Sequence, residues 1–301
     1  MTGSENGVIR GFDAGTTRRP SRKWAVVVLL VFAVFAVSGY LTLRWATALP
    51  TPGDSLNILL LGEDITYAPN GTAQDGPGRT DTMILMVVPR RGTGATLISI
   101  PRDTLVSLPG HGVRRINAAT ILGGTALARA AVSNLLGLEV HRHMIVDFNG
   151  FEKIVDAVGG VEIVVDKRMK YTDVAGGYSI DLAPGVHMMD GRTALSYVRY
   201  RHDALGDISR AGRQQQFMKA VLGKLASWEG LRESRRILSI VREYTQTDLT
   251  TREMVAIGWR FRALGGTVLE TATLPGRFRG AYWEPDPEGI RALVQSVRSP
   301  K

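Results

Sequence analysis

Two hydrophobic signatures divide the chain. Residues 24–43 (WAVVVLLVFAVFAVSGYLTL) run without a charge, whereas from residue 56 onward short apolar runs are punctuated by Gly, Pro and charged residues. At about 1.5 Å rise per residue the first stretch crosses a hydrocarbon core of about 30 Å, which predicts a membrane-spanning helix. Arg18, Arg19, Arg22 and Lys23 precede it and a lone Arg44 follows. That asymmetry predicts a cytoplasmic tail over residues 1–23 and an extracytoplasmic chain beyond the span. A cleavable signal peptide has an apolar core of only about 7–15 residues before its small-residue site. Ala46-Thr-Ala48 resembles such a site, but the longer run favours an uncleaved single-pass anchor over residues 24–45. Residues 46–55, with Pro50, Pro52 and Gly53, read as a short linker, and residues 56–301 as one folded domain.

Within that domain, residues 56–61 (LNILLL), 82–88 (TMILMVV) and 95–100 (ATLISI) are continuous apolar runs. Such runs predict strands buried on both faces, the last two joined as a hairpin across residues 89–94. Helical spacing marks residues 118–136, around a Gly123-Gly124 break, and residues 150–158, stopped by Gly159-Gly160. Residues 144–148 and 161–165 are strand-like. Asp190 predicts the cap of a helix reaching about Tyr200. An amphipathic helix follows over 207–226, then helices over 231–242 and 251–264 and a strand over 268–273. No repeat and no Pro- or Ser-rich linker interrupts this succession, so it predicts one α/β domain with a mixed sheet.

Composition narrows the chemistry. With 44% apolar and 22% charged residues the chain is ordinary globular protein. Thirty-seven Lys and Arg against 28 Asp and Glu give a net charge of +9, which calls for anionic partners. An extracytoplasmic domain does not meet the chromosome, and no DNA- or RNA-binding signature is present, so no nucleic-acid partner is expected. The absence of Cys excludes disulfides, a Cys nucleophile and thiolate zinc sites. The five His form no HExxH pair.

Polar residues gather where α/β proteins place chemistry, at strand ends. Gly62-Glu63-Asp64 follows the first strand, Arg79-Thr80-Asp81 precedes the second, and Pro101-Arg102-Asp103 follows the third. If these strands are neighbours, Asp64 and Asp81 meet and can hold Mg²⁺ or Mn²⁺, while Arg79 and Arg102 bind phosphate oxygens. The alternative is that these acids and arginines simply pair at a solvated edge. Two carboxylates also suit a glycoside hydrolase, but such a site is not usually lined with arginines. Further along, residues 197–216 hold four Arg and no Lys or Glu. Arg199 and Arg201 share a face only if the backbone is extended after the helix. Asp207, Arg210 and Gln214 stack on one side of the next helix, whose N-terminus is suited to phosphate. Together, Arg79, Arg102, Arg199, Arg201 and Arg210 would place five guanidinium groups around a pyrophosphate.

The blocks NILLLGED, RTDTMIL, LISIPRDT, RINAA, VDFNGFEKIVDAVGGV and YVRYRHDALGDISRAGRQQQF occur in this order behind the apolar N-terminal run. Over residues 57–225 the chain thereby resembles the LytR–CpsA–Psr family of cell-envelope proteins. The resemblance implies a three-layer α-β-α sandwich with a mixed central sheet and a long apolar pocket for a polyprenyl chain. It also implies a Mg²⁺-dependent phosphotransferase that moves a glycopolymer from a polyprenyl-pyrophosphate carrier onto peptidoglycan as a phosphodiester. By position it implies metal roles for Asp64 and Asp81. Pyrophosphate binding and catalysis fall to Arg79, Arg102, Arg199, Arg201, Arg210 and Gln214, with Asp207 an essential acid and Arg115 a further substrate contact. Asp81 or Asp103 takes the acceptor's proton. Residues 118–136, 150–158 and 216–226 are candidates to line the pocket, and Trp259, Trp283 and residues 277–279 to contact glycan. The expected setting is a single-pass protein of the cell membrane, its partners the bilayer, the lipid-linked polymer and peptidoglycan. A lipid-pyrophosphate hydrolase and a non-catalytic binder or regulator of envelope precursors are the alternatives.

Overall fold

A run of apolar residues long enough to be buried on both faces needs a layer on each side, and the fold supplies them. The computed structural model describes residues 53–64, 79–90, 94–173, 178–200, 207–227, 230, 232–263 and 269–298, all within a unit spanning Ala46–Lys301. The predicted cytoplasmic tail and membrane anchor lie outside the described residues.

Strands β1 (Ser55–Asp64), β2 (Arg79–Pro89) and β3 (Ala95–Ser99) lead to a hairpin of β4 (Leu105–Leu108) and β5 (Gly112–Arg115). Helix α1 (Ala118–Leu136), β6 (Arg142–Val146) and α2 (Phe148–Ala157) follow. Next, β7 (Val161–Val165) pairs with β10 (Gly185–Met189), enclosing the hairpin of β8 (Met169–Asp173) and β9 (Tyr178–Leu182). Then come α3 (Gly191–Arg199), α4 (Asp207–Ala226), α5 (Ser234–Tyr244), β11 (Thr245–Thr247) and α6 (Thr251–Ala263). Strand β12 (Leu269–Thr273), the hairpin of β13 (Gly276–Arg279) and β14 (Tyr282–Pro285), and α7 (Pro287–Arg298) complete the order.

The main sheet has the order β11-β6-β1-β2-β3-β12. It is mixed, as expected: β1 runs parallel to β6 and antiparallel to β2, and β3 is antiparallel to β2 but parallel to β12. Alternation along β1 sends Leu59 and Leu61 to one face, where they pack with Leu85 of β2, Ala128 and Val132 of α1, and Ile290 and Val294 of α7. Leu56 and Ile58 face the other way, against Ile84 and Met86 of β2, Leu222 of α4, and Ala256 and Phe261 of α6. Fully burying such a side chain contributes about 1.5–3 kcal/mol, and the two-sided pattern places helices on both faces of the sheet.

Several local outcomes differ from expectation. The strand expected over 144–148 starts at Arg142 and stops at Val146, because Asp147 becomes the N-cap of α2 and accepts from the Gly150 amide at 2.6 Å. Gly150 is also a contact point: a Cβ there would lie 2.3 Å from the Tyr244 carbonyl oxygen, so its absence lets α2 approach the end of α5. Helix α1 has the length and mean hydropathy (1.2) of a membrane span, yet Gly123 and Gly124 leave helical geometry and its apolar side is packed on the sheet. The helix expected over 231–242 runs from Ser234 to Tyr244. Helix α6 opens with a reciprocal cap, Thr250 Oγ1 accepting from the Glu253 amide and Glu253 Oε2 from the Thr250 amide. The hairpins β4–β5, β8–β9 and β13–β14 were not read from the sequence.

The buried edge of β1 carries a pH-sensitive contact. His141 Nδ1 accepts from the Asn57 amide at 3.1 Å. Burial lowers the His141 pKa below its ordinary 6.5; Glu139 opposes this, and Arg142 and Arg129 reinforce it. The unfolded chain therefore takes up the proton first as pH falls. Stability should be full above about pH 6.5 and decline as pH drops toward the folded-state pKa. Urea midpoints in detergent at neutral and mildly acidic pH check this, and His141→Asn should flatten the decline.

Candidate functional site

Helices α2, α4, α5 and α6 do not close fully onto the sheet, and a cavity of about 640 Å³ remains between them. The stripe that α4 presents to it reads Arg210, Gln214, Phe217, Met218, Val221, Leu222, Leu225. This is the spacing of one helix side, polar for its first turns and apolar afterward. Strand β2 repeats the order, Asp81 and Thr82 before Ile84 and Met86, and antiparallel β1 reverses it, Ile58 and Leu60 before Gly62. The three gradients superimpose. The cavity is therefore polar at the C-terminal end of β1 and apolar along the rest.

The polar end owes its composition to a β-bulge. Gly62 pairs with Thr82, but Glu63 pairs with Thr80, so Asp81 is an extra residue on β2. Thr80 stays on the α1 side, 3.2 Å from the Thr120 hydroxyl, while Asp81 joins Thr82 in the cavity lining. A bulge re-aims a side chain in just this way. A Cβ on Gly62 would come within 2.9 Å of the Thr82 Cβ, so glycine keeps this corner open.

Around the bulge the polar groups are cross-braced. Arg102 Nη1 donates to Asp81 Oδ1 at 2.8 Å and its Nε lies 3.5 Å from Asp103. Asp103 in turn pairs with Arg115 at 3.1 Å, and the Arg115 guanidinium sits 4.8 Å above the Tyr282 ring. Gln214 donates to the Thr82 hydroxyl at 2.8 Å. The Arg199 guanidinium lies 4.3 Å over the Phe148 ring, a cation–π contact joining the end of α3 to the start of α2. Arg210 is buried against the same end. Arg213, also buried, donates to the Tyr200 carbonyl and stacks on that residue's ring. Nearby, burial pushes the Tyr197 phenol up to about 12, and its hydroxyl bonds Gln216 at 2.8 Å.

The expected residues are thus partly united. Asp81, Arg199, Arg210 and Gln214 line one end of one cavity, and Arg102 joins them through Asp81. The acid–arginine pairing weighed as an alternative is also real, at Asp81–Arg102. Arg115 is absent from the lining and stands one step outside, on Asp103 and Tyr282. Asp64 and Arg79 are cross-strand partners at the end of β1 and the start of β2, and Asp207 opens α4; their side chains, and all of Arg201, lie outside the described residues. Two placements are corrected. Helix α1 packs on the opposite face of the sheet and contributes nothing to the cavity, whereas α2 and the later part of α4 do. Trp283 is buried in the core, its backbone bridged to Thr104, and Arg277 and Arg279 clamp Glu284, with Arg277 chiefly responsible for holding that carboxyl below its ordinary pKa.

Sequence reasoning missed Asp147, Phe148 and Arg213. Asp147 also lines the polar end, and its capping position before an apolar-periodic segment was a usable signal. Nothing local predicts that Phe148 lies under Arg199. Among the described residues, no group of three or more His, Asp or Glu side chains is arranged to hold a metal ion.

A chain with this site and this mixed sheet has known relatives in sequence and fold. The LytR_cpsA_psr family model matches residues 38–296. The chain belongs to the LytR_cpsA_psr family. LcpB of Corynebacterium glutamicum, named for cell wall biosynthesis, is 41% identical over 239 residues, 76% of this chain and 56% of that protein. The polyisoprenyl-teichoic acid–peptidoglycan teichoic acid transferase TagU of Oceanobacillus iheyensis is 36% identical over 204 residues, 65% of this chain and 59% of that one. The chain thus spans less than two thirds of these relatives' length. Among solved structures of the family fold, B. subtilis TagV superposes with a TM-score of 0.70 at 25% identity, covering 82% of this chain and 97% of TagV.

The brace at Arg213 yields a stability prediction. A hydrogen bond to a charged group contributes about 1.5–3 kcal/mol, so Arg213→Ala should lower unfolding free energy by about that amount, read from urea titration of the full chain.

Proposed function

We propose that this chain is a membrane-anchored phosphotransferase that moves a glycopolymer from a polyprenyl-pyrophosphate carrier onto peptidoglycan as a phosphodiester. The observation that carries this reading is the order of the cavity: apolar along most of its length and ended by Asp81, Arg199, Arg210 and Gln214. A ligand with a long apolar tail and an anionic head matches that order. Each buried CH₂ of a tail contributes about 0.8 kcal/mol, and guanidinium groups form charge-assisted pairs with phosphate oxygens. The name of TagU supports the same class of substrate, and that of LcpB a part in cell wall biosynthesis. Residence in the cell membrane, with the N-terminus cytoplasmic and the domain outside, rests on the apolar run at 24–43 and its flanking charges.

In this reading Arg199 and Arg210 hold the pyrophosphate, and Gln214 is fixed beside them by Thr82. A hydroxyl of the acceptor glycan attacks the polymer-bearing phosphorus, the bridging P–O bond breaks, and polyprenyl monophosphate leaves. Asp81, in the lining, takes the hydroxyl proton in this reading, whereas Asp103, engaged by Arg102 and Arg115, lies outside the lining. Positioning and electrostatics are most of such catalysis. Mg²⁺ or Mn²⁺ takes one or two protein carboxylates and completes its shell with phosphates and water, and Asp81 supplies one carboxylate at the polar end. Asp64 and Asp81 would hold the ion, and it would neutralise charge on the phosphates.

The test is turnover of a polyprenyl-pyrophosphoryl glycan by the full chain, with and without acceptor. Arg199→Ala should lower transfer roughly 100–1000-fold, the loss typical of one preorganised donor, and Arg102→Ala should lower it by releasing Asp81. Unchanged transfer in both variants sinks the site. Equal release of lipid phosphate without acceptor would instead make this a hydrolase, and binding without release a sensor. Chelation should abolish turnover, and added Mg²⁺ or Mn²⁺ should restore it; full activity in chelator overturns the metal assignment.

A further inference from the structure

We infer that α6 is a second, interfacial contact with the bilayer, separate from the N-terminal apolar run. The inference rests on the membrane residence proposed above and not on the transfer chemistry.

Helix α6 crosses the apolar end of the cavity. Near its start Glu253 binds Arg142 at 3.0 Å, and near its end Arg260 donates to the Arg90 carbonyl at 3.3 Å. Arg142 begins β6 and Arg90 follows β2, and both mark the end of the sheet where β1 starts. Thr251, Val255 and Trp259 are exposed at i, i+4 and i+8, one stripe along the helix. Val255 and Trp259 are 40% and 39% exposed and also line the cavity. The cavity therefore opens to the outside at this stripe.

The chain enters the domain at the same end, where the Arg90 amide donates to the Asp54 carbonyl at 2.6 Å. Residues 46–53 extend at most about 3.3–3.6 Å each, a short tether from the predicted span. A half-exposed Trp beside an aliphatic residue is what a membrane interface accepts. Arg90 and Arg260 lie along the same rim and suit anionic headgroups. Docked this way, the mouth meets the lipid directly, and an apolar tail passes from bilayer to cavity without crossing water.

The chain has no Cys, so a single introduced Cys takes a spin label uniquely. The full chain is placed in nanodiscs containing phosphatidylglycerol and labelled at Thr251→Cys, which is exposed and outside the cavity lining. Ser107→Cys, exposed on β4 beyond the opposite end of β3, is the reference. Dissolved oxygen should relax the label at 251 several-fold more than a water-soluble nickel chelate does, and the order should reverse at 107. Replacing Val255 and Trp259 by Ser should return position 251 to the aqueous pattern. A label at 251 as water-accessible as at 107 overturns the inference, as does lipid contact that survives the double replacement. Polymer transfer measured on the same discs reports on the proposed chemistry separately, since it can fail while the contact at 251 persists.

Discussion

One extra residue in β2 is the constraint on which the polar site depends. Without it, strict alternation would turn Asp81 toward α1 and Thr80 toward the cavity. With it, Thr80 keeps its buried partner Thr120 on one face while Asp81 and Thr82 both reach the other. Every later brace refers to that choice. Arg102 binds Asp81, Asp103 steadies Arg102, Arg115 steadies Asp103, and Thr82 holds Gln214. A half-buried carboxylate at the head of an apolar space would be costly alone. The Arg102 guanidinium from beyond the next strand pairs with it and holds it in place.

The two faces of the sheet solve different problems. On the α1 and α7 side, apolar side chains interdigitate into a filled core. On the other side the helices stand off, and their inward stripes face one another across open space. An apolar space of this size is poorly satisfied by water, which finds few polar partners there, and this is the physical case for a ligand with an apolar body. The superimposed gradients on β1, β2 and α4 add a direction: head at the bulge, tail toward α6. The chain belongs to the LytR_cpsA_psr family and shares its fold with TagV.

Much of this was legible because its signals are local. The runs at 56–61, 82–88 and 95–100 became central strands since only two-sided burial stabilises so many consecutive aliphatic residues. The stripe from Arg210 to Leu225 was visible as helical spacing, and the cap at Asp190 follows from short-range hydrogen bonding. Other readings failed where apolarity alone cannot choose a face. Helix α1 is as apolar as the cavity walls yet packs on the far side, and Trp283 is core although its neighbours are charged. Arg115 lies outside the lining, held by the nearby Asp103 carboxylate and by Tyr282 from a distant segment.

The sequence by itself determined the alternation of strands and helices, the polar-to-apolar order along α4, and the charged residues at the strand ends, because each is set by contacts within a few residues. Tertiary structure alone decided that these gradients align, that Asp81 turns inward, and that α6 crosses the cavity's open end. Those outcomes depend on strand register and on which helix covers which face, and both are set by packing between segments that lie far apart in the chain.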